Sequence, residues 1–250
     1  KEGEYYIGVD VARSAKTSNN ASAIVVIRVR RDAKERVREL QAVNVVKLPN
    51  GLNFKQQTVI CKQMCALYNA KAIVIDINGL GKGLLDYMLD RNILDDGTEL
   101  EPYDMLNTDY RSDYRDAKKL VYGIEAQKNN SEMITNFINV VEGSILRILE
   151  HFDVNKALDI PDEDFMVSDV LPFLRTENFI SEVQNITVET IPGTGKLKIG
   201  QVVKADKDIY SATIQVCWYV MTFCNDALPD EDEDFASFFS TFISQPKIKR

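Results

Sequence analysis

The chain has 250 residues, a 45% apolar and a 27% charged share, and a formal net charge of −8. That is enough chain to bury one substantial core, with the mixture of an ordinary soluble globular protein, and its longest apolar runs are too short to span a bilayer. The acidic balance argues against a general nucleic-acid coat, and the spacing of four cysteines and a single histidine, His151, argues against a zinc site and against a Ser–His or Cys–His centre.

Tyr5–Ala12 reads as a strand by its alternation, with Tyr6, Gly8, Asp10 and Ala12 on one face. A polar loop, Arg13–Asn20, leads into a β-branched strand, Ala21–Arg30, a turn at Arg31–Glu35 and a third strand, Arg36–Leu48. Pro49-Asn50-Gly51 breaks the chain, and Asn53–Asn69 reads as a helix. A fully apolar strand, Ala72–Ile77, a helix over Leu84–Leu94 and a fifth strand within Glu101–Asn107 follow. The order βββαβαβ describes an α/β fold of the ribonuclease H-like type, a mixed central sheet flanked by helices.

The second half reads as helical over Arg115–Gln127, Ser131–Ile148, Thr176–Gln184 and Ile209–Phe223. Between the last two, Ile186–Thr190, the turn Pro192–Gly195 and Lys196–Val203 form an added β-hairpin. Residues 1–226 are thus expected to form one domain with a hairpin insertion at about 186–203, and 227–250 a tail. Basic residues gather at Arg28–Arg38 and at Lys196, Lys198, Lys204 and Lys207, and acid at Asp159–Asp169 and Asp226–Asp234. All read first as solvated loops.

Three acids stand at the ends of apolar elements. Asp10 follows Ile7-Gly8-Val9, where Gly8 is expected to leave an open approach for a ligand. Asp76 closes Ala72–Ile75 ahead of a glycine-rich run, Gly79–Gly83, at the carboxyl end of a central strand where open α/β sheets place their sites. Asp208 opens the last helix, where capping alone would explain an Asp; Asp206 is close enough to share its role. An unpaired carboxylate in an apolar setting costs several kcal/mol, roughly, so three of them suggest a shared divalent cation. Two such ions would activate a water and stabilise the leaving oxygen of a phosphodiester, with no need of histidine.

Tyr6–Ala12, Val74–Asp86 and Lys207–Ala212, together with Glu142–Leu149 and the stretch from Thr176 to Val203, resemble in order and spacing the nuclease domain of the large subunit of tailed-phage terminases. The resemblance implies a Mg²⁺- or Mn²⁺-dependent endonuclease that cuts double-stranded viral DNA during genome packaging, in the host cytoplasm. It implies catalytic and metal-binding roles for Asp10, Asp76 and Asp208, with Asp206 as a further ligand. Lys82, Lys196, Lys198, Lys204 and Lys207 are candidate DNA contacts. It also implies a packaging ATPase N-terminal to this region, a portal and a small terminase subunit as partners, and no membrane. The third motif departs from the family in carrying Ile209 where a basic residue is expected. Holliday-junction resolvases and transposases share the acidic logic. An actin-like ATPase or sugar kinase also opens with a Gly-x-Asp strand, but it requires a glycine-rich phosphate loop that Arg13–Asn20 lacks. A non-catalytic ribonuclease H-like module is the remaining alternative.

Overall fold

A computed structural model describes residues 3–12, 21–150 and 167–225. Eleven strands and five helices occur among them. In chain order these are β1 (Glu4–Asp10), β2 (Ala23–Arg31), β3 (Val37–Lys47), α1 (Phe54–Tyr68), β4 (Ala72–Asp76), α2 (Leu80–Leu89), β5 (Asn92–Ile93) and β6 (Glu99–Leu100). They continue with β7 (Tyr103–Met105), β8 (Lys118–Ile124), α3 (Ala126–Glu142), β9 (Leu146–Arg147), α4 (Val167–Gln184), β10 (Ile186–Thr190), β11 (Leu197–Gln201) and α5 (Asp208–Phe223).

Seven strands form one mixed sheet in the order β7-β8-β4-β1-β2-β3-β9. β1, β2 and β3 make the antiparallel meander, while β4 runs parallel to β1 and β8 parallel to β4. Alternation splits the apolar side chains into two cores. Ile7, Val9, Ile73 and Ile75 pack with α1 and α2, and Tyr6, Val25, Ala72 and Val74 pack with α3, α4 and α5. The architecture is a mixed α/β sheet flanked by helices, with β10 and β11 forming the added hairpin ahead of the last helix.

Several elements differ from the sequence reading. The expected helix Leu84–Leu94 ends at Leu89 and is followed by β5, and the expected helix Ser131–Ile148 is α3 over Ala126–Glu142 with β9 after it, because Gly143 and Ser144 turn the chain back to pair with β3. Lys118–Ile124, expected within a helix, is β8. It lies between β7 and β4, and Leu120, Val121, Gly123 and Ile124 are all buried, so the two-residue alternation that marks a strand is erased. Helix α2 begins at Leu80 rather than Leu84, taking in the glycine-rich run. A Cβ on Gly81 would lie 1.6 Å from the Asp76 carbonyl oxygen, so this glycine permits close packing of α2 on the end of β4. Helix α4 starts at Val167 and carries Pro172 inside it, although proline ordinarily ends a helix.

Gly8 also has a packing role. A Cβ there would lie 2.1 Å from the Ala212 carbonyl oxygen and 2.9 Å from Val216 Cγ1. The face expected to be open to a ligand is instead the seat of α5, which therefore crosses β1 closely and delivers its first residue to the end of that strand.

Candidate metal centre

The sheet aligns the acidic residues by register. Val9 pairs with Ile75, so Asp10 and Asp76 are the next step along neighbouring parallel strands. Asp10 pairs with Ala23, and Ala23 with Lys47. Asp76, Asp10, Ala23 and Lys47 thus form one row across β4, β1, β2 and β3, on the face that α5 covers. Lys47 reaches that face because Val43 is bulged out of the β2–β3 ladder: Val26 pairs with Asn44 and Ile27 with Ala42. One extra residue reverses which side chains face the core.

Helix α5 supplies Asp208 as its first residue. Asp208 is not the cap: Lys207 occupies that position and makes no side-chain capping bond. The Asp208 carboxylate instead accepts the N–H of Ala21 at 3.3 Å and lies 3.7 Å from Lys47 Nζ. The open N–H of Tyr210 is satisfied by Glu182 Oε2 of α4, at 2.8 Å. Asp206, in the preceding loop, pairs with Lys47 Nζ at 2.5 Å.

Asp10, Asp76, Asp206, Asp208, Lys204 and Lys207 line a cleft of about 710 Å³. Ile199 and Gln201 of β11 close one side. The hairpin is anchored there: Leu197 N–H donates to Ser131 Oγ of α3 at 3.0 Å, and Asn185 bonds both the N–H and the carbonyl of Val203.

The acids act on one another. Burial, with Asp208 and Asp76 beside it, pushes the Asp10 carboxyl up to about 7, against the pull of Lys207. Burial also raises Glu182 to about 7, with its bond from Tyr210 opposing and Asp208 reinforcing. Asp208 shifts upward through burial, with Lys47 working against that shift.

Asp10, Asp76, Asp206 and Asp208 are therefore brought to one place. Of the five lysines, Lys204 and Lys207 line the same cleft. Lys82 is exposed on α2, Lys196 is exposed beside the hairpin turn, and Lys198 pairs with Glu189 at 2.9 Å. The arginine cluster stands at the opposite end of β1, where Arg31 pairs with Glu4 and Arg36 with Asp32. His151 and the acidic stretches 159–166 and 226–234 lie outside the described residues. Two residues that hold the site were not anticipated, Lys47 and Glu182. Neither has a local motif, and each touches residues that line the cleft, Lys47 through Asp206 and Asp208 and Glu182 through Tyr210.

Among the described residues, no three His, Cys, Asp or Glu side chains are gathered as a coordination sphere. Asp76 Oδ1 accepts the N–H groups of Asn78 at 3.1 Å and Ala126 at 3.2 Å, while Asp208 faces Lys47. The donor set nonetheless fits a hard divalent cation in kind. It is all carboxylate oxygen, and Asp10 is held part-way to its neutral form partly by neighbours of its own sign.

No protein-family model matches the chain, and no curated protein matches it. Among solved structures it is similar to the large terminase nuclease of thermophilic phage G20c with bound magnesium. That match is at 13% identity and a TM-score of 0.50, over 86% of this chain and 80% of that one. It is similar also to the large terminase nuclease domain of Thermus phage P74-26, at 13% identity and a TM-score of 0.50, over 91% and 84%. The fold is that of the large terminase nuclease domain. Those domains share with this chain the mixed sheet and its covering helices, and Asp10 and Asp76 sit at the carboxyl ends of two of its central strands.

Proposed function

We propose that this chain is a metal-dependent endonuclease that hydrolyses double-stranded DNA during phage genome packaging. The observation that carries the reading is the convergence of Asp10, Asp76 and Asp208 on one cleft, on the fold of the large terminase nucleases. Asp10, Asp76 and Asp208 would hold Mg²⁺ or Mn²⁺, two ions in all, with Asp206 adjacent. When bound, such ions supply an activated water and stabilise the leaving oxygen of a phosphodiester.

The chain's own residues set the geometry for that chemistry. Asp10 and Asp76 are fixed by sheet register, and the backbone N–H groups of Asn78 and Ala126 hold the Asp76 carboxylate. The Glu182 bond to Tyr210 fixes the first turn of α5 and with it Asp208. Lys204 and Lys207 attract the phosphate backbone at the cleft, and Lys82, Lys196 and Lys198 extend that field outward. The β10–β11 hairpin is a fixed wall that guides the duplex.

Residues 1–226 form the nuclease unit in this reading, with 227–250 as a tail outside the described residues. A packaging ATPase domain in the same polypeptide, a portal and a small terminase subunit complete the machine, in the host cytoplasm. No helix among the described residues is long and apolar enough to cross a membrane. The test is plasmid cleavage in Mn²⁺. Asp10→Asn and Asp76→Asn should each abolish nicking while the melting transition is retained, and full activity in both variants would sink the assignment.

A further inference from the structure

Lys47 is held by two acids of the cleft at unequal distances. Its Nζ lies 2.5 Å from Asp206 Oδ2 and 3.7 Å from Asp208 Oδ2. The side chains are shielded, with 17% of Lys47, 26% of Asp206 and 11% of Asp208 exposed. A charge pair so sheltered is screened far less than one on an open surface. The placement is specific, because the bulge at Val43 turns Lys47 onto this face and the row Asp10–Ala23–Lys47 aligns it with the acids.

We propose that Lys47 is the resident counter-ion of the metal site: its ammonium ties up Asp206 and shares Asp208, and a divalent cation must displace it from Asp208 to bind. The inference rests on the metal-dependent reading above and adds a positioning residue to it. Lysine suits the role. It is a compact charge on a flexible stem, so it can leave the farther oxygen while keeping the nearer one. In the metal-free protein it offsets the repulsion among Asp206, Asp208 and Asp10. When the ion binds, the ammonium becomes a like charge beside it and weakens its hold.

Mn²⁺ affinity, read by titration calorimetry and by the electron paramagnetic resonance of unbound Mn²⁺, tests this without recourse to cleavage. K47M should bind Mn²⁺ roughly tenfold more tightly than wild type, because a positive charge beside the ion is gone. Its metal-free form should melt at a lower temperature, and K47R should restore the wild-type affinity. If K47M does not fold, K47Q carries the same expectation. Unchanged or weaker Mn²⁺ binding in the folded variant would overturn the counter-ion role and leave the nuclease reading standing. A wild-type protein that binds no Mn²⁺ at all would overturn both.

Discussion

The carboxylate of Glu182, on α4, accepts the backbone N–H of Tyr210 at 2.8 Å and so caps the helix whose first residue is Asp208. The orientation of a site acid thus depends on a residue 26 positions earlier in the chain, counting from Asp208 to Glu182. Glu182→Leu would leave that N–H buried without a partner. We expect a loss of about 1–2 kcal/mol in stability, measured by chemical denaturation, and a drop in cleavage rate. Glu182→Gln keeps an acceptor at the same place and should retain most of both.

The raised carboxyls predict a pH response of the metal-free protein. Asp10 and Glu182, ordinarily near 3.8 and 4.5, are each pushed up to about 7 in the folded state. The folded protein therefore keeps protons that the unfolded chain releases. Their contribution to stability is complete below about pH 4 and is lost as the pH rises through 7. Without metal, the protein should melt roughly 5–15 °C lower at pH 8 than at pH 5.5. Asp10→Asn should flatten part of that fall. Mn²⁺ should raise the melting temperature more at pH 8 than at pH 5.5, since the ion favours the ionised acids. Scanning calorimetry at the two pH values, with and without Mn²⁺, checks each of these signs.

Asp206 and Asp208 separate by their surroundings. Asp206 is occupied by Lys47 at 2.5 Å, whereas Asp208 is buried at the first turn of α5 and accepts a backbone N–H. Asp208→Ala should lower plasmid cleavage by about 100-fold or more, on the scale of losing an interaction made in the transition state. Asp206→Ala should cost distinctly less. Equal losses in the two variants would place both acids in the same role.

Gly8 tests how α5 is seated. Alanine there would put Cβ within 2.1 Å of the Ala212 carbonyl oxygen, and backbone must move to relieve it. Gly8→Ala should destabilise the domain by about 2 kcal/mol or more and shift α5, lowering activity together with the melting temperature. A fully stable Gly8→Ala variant would mean that the contact between β1 and α5 is looser than the packing indicates.

The lysines at the cleft should act through charge. Replacing Lys204 and Lys207 by alanine should weaken DNA binding in low salt and reduce the steepness of its salt dependence. The same change at Lys198, which pairs with Glu189, should matter less. Binding isotherms at several salt concentrations separate the two cases.

By itself the sequence determined the first four strands, α1 and α5, the two-sided sheet and the three acids. These signals are local: alternation in β1, apolar runs in β2 and β4, and a charged residue where an apolar element ends. Asn53 and Asn69 even mark both ends of α1, as N-cap and left-handed C-cap. The hairpin was legible too, from the turn between its strands. Tertiary structure decided what local patterns cannot carry. β8 is covered on both faces, so its period is hidden, and α2 begins inside a glycine run because β4 and α1 crowd it. Lys47 faces the acids because one bulged residue, Val43, reverses the alternation counted from Leu40 and Ala42. Glu182 joins the site because α4 packs beside α5. The acids could be found by their chemical cost in an apolar element. The groups that orient and neutralise them could not, because register and packing are set by the whole sheet rather than by neighbouring residues in the chain.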